Sequence, residues 1–84
     1  MVLFVTPGPR VARPAFVAGR RVGGAVVRNR ARRVMRAAWR GLASEVDDAT
    51  NRVFVARPAI LGATTQEIEA EMRALMSRTA GATP

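Results

Sequence analysis

The sequence predicts an α+β fold, a small sandwich in which one sheet is covered by helices, in the order β-β-α-β-α. Three observations predict it. Short β-branched and aromatic runs closed by Pro- and Gly-rich turns are interleaved with longer segments whose apolar residues recur every three or four positions. The chain has 84 residues. That length makes one domain, and one that buries only roughly 60% of its unfolded surface. Positive charge, finally, is concentrated on one helical segment.

Met1 to Val5 is an apolar run closed by "TPGP", which reads as a strand ended by a turn. Pro14 to Ala18, "PAFVA", is a second strand, and its proline confines it to a strand start or a sheet edge. "GRRVGG" breaks it. From Ala25 to Arg40, Val27, Ala31, Val34, Met35, Ala38 and, just beyond, Leu42 recur with helical spacing, and Gly41 supplies a stop signal. "SEVDDATN" is a polar loop. Arg52 to Ala56, "RVFVA", is a well-buried strand ahead of Pro58. Thr64 and Glu67 have the spacing of a capping box, and Ile68, Met72, Leu75 and Met76 form the stripe of the helix that follows. Its acids come early and its arginines late, in keeping with the helix dipole. Residues 1–78 form the domain, and 79–84 are expected to be a frayed tail.

The formal net charge is +8, with no lysine, histidine or cysteine. Ten of the 14 arginines (positions 10, 13, 20, 21, 28, 30, 32, 33, 36 and 40) fall in a block that contains no acid. The remaining four share the rest of the chain with all six acids. Nucleotide bias explains the choice of arginine over lysine, but not the exclusion of acids. Such a block is the footprint of a polyanion-binding face. The lack of histidine and cysteine removes the usual general base, thiolate chemistry and most metal sites. Glu45, Asp47 and Asp48 read as solvated acids rather than a metal cluster, so no catalytic or metal-binding residue is assigned. The start "MVLFVT" is too short an apolar run for a signal peptide or a membrane span.

At roughly 100° per residue, the apolar positions of the first helix lie within about 60° of Ala31. Asn29, Arg32, Arg33, Arg36 and Arg40 cover the opposite face, with Arg28 and Arg30 on the flanks. Trp39 falls at the border, as a core anchor. Arginine's planar fork suits phosphate and also stacks on bases. Asn29 adds no charge; it either meets a 2′-OH or base edge or caps backbone in the first turn. Gly23 and Gly24 leave the helix N-terminus open to another backbone or an anion.

The stretch "RRVGGAVVRNRARRVMR" resembles the signature of the protein subunit of bacterial ribonuclease P, through Arg20, Arg21, Gly23, Ala25, Val26, Arg28, Asn29, Arg30, Arg32 and Arg33. The likeness runs from about Val2 to Met76. It implies the family's αβββαβα fold without its N-terminal basic helix and first short strand, and a left-handed crossover between the strands at 14–18 and 52–56, against the usual right-handed preference. It implies the function of a ribonuclease P component, in which the catalytic RNA and its bound Mg²⁺ remove the 5′ leader of precursor tRNA. The protein itself would bind no cofactor. Its RNA-binding residues would be Arg20, Arg21, Arg28, Asn29, Arg30, Arg32, Arg33, Arg36 and Arg40. Phe4, Phe16, Gly19 and Arg20 would line the leader path. The implied partners are the catalytic RNA and the leader, with the protein cytoplasmic, monomeric apart from RNA and away from membranes.

Gly24 stands where the family carries asparagine, and Gly19 where serine or threonine is common, which removes polar groups near the helix start and the leader path. Without the basic helix the cleft would be open on one side, and discrimination between precursor and mature tRNA weak. Two other readings compete: a ribosome-associated or other structured-RNA-binding protein, and a DNA-binding module. Strands on both sides of the basic helix argue against the second.

Overall fold

In the computed structural model, which describes residues 1–7, 14–46 and 50–82, three strands form one mixed sheet. β1 (Val2–Pro7) runs antiparallel to β3 (Thr50–Ala56), and β2 (Ala15–Ala18) runs parallel to it on the other side. The order β1-β3-β2 leaves β2 at an edge, where Pro14 sits just before the first paired residue and withholds no ladder hydrogen bond. The helices α1 (Ala25–Leu42) and α2 (Thr65–Ala82) complete the expected order. Short 3₁₀ turns at Ala43–Glu45 and Pro58–Ile60 are added to it.

Register divides the side chains between two faces. Leu3 and Phe16 flank Phe54, while Phe4 and Ala15 flank Val53 on the other side. The first set faces the helices. Phe54 is fully buried, its ring 5.9 Å from Phe16 and 5.7 Å from Trp39. Met35, Leu42, Ile68 and Met72 close the core around it. Trp39 is half-buried at the border, as its helical position requires, and the Arg52 guanidinium lies 6.0 Å from its ring. The second set is the open face of the sheet, where Phe4 and Val17 are exposed.

Three expectations need correction. Gly41 does not stop α1, which continues to Leu42. The next residue, Leu42, is fully buried in the core, and that packing carries the helix past the glycine. Val27 is not core: it is 36% exposed and lines a surface pocket with Ile60 and Leu61. Phe16 faces the helices and not the open sheet face, because its pairing with Phe54 sets its side. α2 extends to Ala82.

The capping box forms: Glu67 N–H donates to Thr64 Oγ1, and Thr64 N–H to Glu67 Oε1, both at 3.1 Å. The Met1 amine donates to Glu71 at 2.8 Å, joining the start of β1 to α2. Among the described residues no helix is long and apolar enough to cross a membrane.

Candidate nucleic-acid interface

The interface begins in the turn between β2 and α1. Val22 N–H donates to Gly19 O at 3.0 Å and Gly23 N–H to Arg20 O at 3.2 Å. This tight turn buries Val22 while leaving Gly19, Arg20 and Arg21 exposed. Gly23 has φ +150°, and a Cβ on it would come within 2.9 Å of Val27 Cγ1. Only glycine folds the turn this closely onto the first turn of the helix. Gly24 is the N-cap, with extended backbone and no side-chain cap, and the first turn carries no acid. The orphan N–H groups and the positive end of the dipole therefore add to the arginine charge.

Arg32, Arg33 and Arg36 line one open groove together with Asn29 and Val26. The Asn29 carbonyl oxygen accepts a hydrogen bond from the Arg32 guanidinium, one helical turn along. Neither role open to Asn29 on sequence grounds is the one seen in the free protein. It orients Arg32 without cancelling its charge. Arg40 is exposed near the C-terminal end of α1, about 18 Å from Arg28 along the axis. Arg30 lies on the other flank, against a separate apolar pocket. Arg28 is half-buried, and its Nε is shielded from solvent without a hydrogen-bond partner among the described residues. Arg10, Arg13, Asp47 and Asp48 lie outside the described residues.

The four described acids are engaged elsewhere. Arg73 donates to Glu45 at 2.7 Å and to Glu69 at 3.2 Å, Glu71 pairs with the Met1 amine, and Glu67 caps α2. The hydrogen bond from Arg73, with its charge, holds the Glu45 carboxyl below the usual glutamate value although desolvation opposes it. The same hydrogen bond raises Arg73. Among the described residues no three acidic, histidine or cysteine side chains converge to hold a metal ion.

Of the residues assigned to a leader path, Phe4 stands on the open sheet face and Gly19 and Arg20 in the turn after β2. Phe16 is on the inner face. Val26 and Leu61 had no assigned role, yet both are exposed beside the basic groove or the apolar pocket. A signal for Val26 was available: it falls about 140° from Ala31, an apolar residue on the polar face.

Fold and face together define a class, the small α+β domain with a basic helix exposed on its surface. Residues 1–80 match the family model described as ribonuclease P. The chain belongs to that family, as the RNR stretch had suggested. It is 39% identical over 70 residues to the ribonuclease P protein component of Roseiflexus castenholzii, covering 82% of this chain and 57% of that protein. It is 40% identical over 77 residues to that of Nitratiruptor sp., covering 92% and 69%. Its fold is similar to the structure of the Staphylococcus aureus RNase P protein, with a TM-score of 0.73 and 18% identity over 92% of this chain and 72% of that one.

Proposed function

We propose that this chain is the RNA-binding subunit of a ribonuclease P, docking on the catalytic RNA through the exposed face of α1 and assisting removal of the 5′ leader from precursor tRNA. One observation carries the reading: Arg32, Arg33 and Arg36 of α1 line one open groove, while every described acid is engaged away from it. A cation face that its own protein leaves unneutralised is available to phosphates.

Arg20, Arg21, Arg30, Arg32, Arg33, Arg36 and Arg40 would meet the RNA backbone, and Asn29 would hold Arg32 in place. Arg28, with an unused Nε donor, would gain an acceptor on binding. The leader would cross the open sheet face, over Phe4 and Val17 and past Gly19 and Arg20, with Phe16 supporting the sheet from below. The chain supplies no catalytic group. Mg²⁺ held by the RNA supplies the hydrolytic chemistry, and the arginines lower the electrostatic cost of bringing two RNAs together. The protein acts in the cytoplasm, as a monomer apart from its RNA.

The test is cleavage of precursor tRNA by the catalytic RNA with and without this chain. At low Mg²⁺ the protein should raise the rate, and the benefit should shrink as Mg²⁺ rises. Absence of any stimulation, or cleavage by the protein alone, refutes the proposal.

A further inference from the structure

We propose that the apolar pocket on the Arg30 flank of α1 receives a single unstacked nucleobase of the RNA held by the arginine face. The inference rests on the RNA-binding reading above and adds a site to it. Of the five large apolar side chains exposed on the described residues, three cluster here: Val26 (80% exposed), Val27 (36%) and Leu61 (54%). With Ala31 and Ile60 they bound a pocket of about 190 Å³ between the start of α1 and the connection from β3 to α2. That is below the roughly 300–1,000 Å³ of sites for drug-sized ligands, and on the scale of one planar ring system.

The chemistry of the walls selects the occupant. They are aliphatic with one cation, Arg30, on the lining. A base offers apolar faces to such walls, and a guanidinium can lie against its π surface. Position does the rest. Val26 lines both this pocket and the groove of Asn29, Arg32, Arg33 and Arg36. A strand whose phosphates follow the groove is therefore one side chain away from the pocket, and an unpaired nucleotide can place its base across Val26. A base within a duplex has its faces covered by its neighbours, so the site selects unpaired RNA. A second copy of the chain fits less well, since covering the pocket would bring two arginine faces together at a net charge of +8 each.

The test uses the full chain, the catalytic RNA of ribonuclease P, and the double variant Val26→Ser, Leu61→Ser. Both side chains are exposed, so the fold should tolerate the change, and the circular dichroism of α1 and α2 checks it. The variant should bind about tenfold more weakly, within the range that single-base contacts contribute. Its dependence on salt should match the parent's, because no phosphate contact is lost. A benzoylphenylalanine at position 61 should crosslink to one unpaired nucleotide. Removing that base from the RNA should weaken the parent protein and leave the double variant unaffected. Equal affinity of parent and variant, a changed salt slope, crosslinks confined to paired nucleotides, or loss of self-association as the variant's main effect would each overturn the pocket. Failure of the parent chain to bind the RNA in a salt-dependent way would overturn the proposed function and the pocket with it. The two failures are thus distinguishable.

Discussion

Replacing Arg33 and Arg36 together by alanine removes two of the three guanidiniums that line the groove beside Asn29. Five arginines of α1 have their charged ends available to a ligand in the free protein: Arg30, Arg32, Arg33, Arg36 and Arg40. Arg28 is partly withdrawn. Counting α1 alone, without Arg20 and Arg21, five phosphate contacts at about 0.7–0.9 counterions each contribute a slope of roughly −4 for log K against log salt. Between 50 and 200 mM salt that is a loss of about 250-fold in affinity. Without Arg33 and Arg36 the slope should flatten to roughly −2.4, and the same change of salt should cost only about 30-fold. Arg73→Ala is the internal control. Its guanidinium is held by Glu45 and Glu69, so its removal should leave the slope alone. The assay is equilibrium binding to the catalytic RNA at four or more salt concentrations. Parallel lines for the parent and the double variant, or equal flattening by Arg73→Ala, would show that overall charge and not this groove governs binding.

Three further outcomes follow from the same geometry. Phe54→Ala should cost about 3–5 kcal/mol, since the ring is fully buried between Phe16 and Trp39. That is a large share of the roughly 4–13 kcal/mol expected for an 84-residue chain, so urea denaturation should show a markedly lower midpoint. Asn29→Ala should weaken RNA binding by about two- to fivefold, the scale of one modest hydrogen bond, without changing the salt slope. Asn29→Asp should flatten that slope by about one contact, because it cancels a neighbouring guanidinium. The Glu45 carboxyl is depressed when folded, so its contribution to stability is complete above the ordinary glutamate pKa and is lost as pH falls through the lower, folded value. Glu45→Gln should therefore slightly lower stability at neutral pH and leave it nearly unchanged near pH 2, flattening the acid limb, as thermal melts between pH 2 and 7 would show.

Much of the architecture was legible in the chain because it depends on local periodicity. The helical spacing from Val27 to Leu42, the strand "RVFVA" and the Thr64 to Glu67 capping box each concern residues within a turn or two of one another. The basic face was legible for the same reason, since the helical repeat alone places Asn29, Arg32, Arg33 and Arg36 together.

What eluded sequence reasoning involves partners far away along the chain. Gly41 has the chemistry of a helix stop, but the burial of Leu42 beside it, under segments from elsewhere in the chain, carries α1 past it. Phe16 has no preferred face until parallel register with Phe54 sets one, and a shift of a single residue would have put it on the open sheet. Val27 carries the stripe's pattern but lines a surface pocket with Leu61 instead of entering the core. The sequence by itself determined the elements, the class of fold and the charged face, because these follow from interactions a few residues long. Tertiary structure alone decided which apolar side chains off the polar face are covered and which remain exposed, as Val27 and Leu61 do, because burial depends on which segment arrives from elsewhere in the chain.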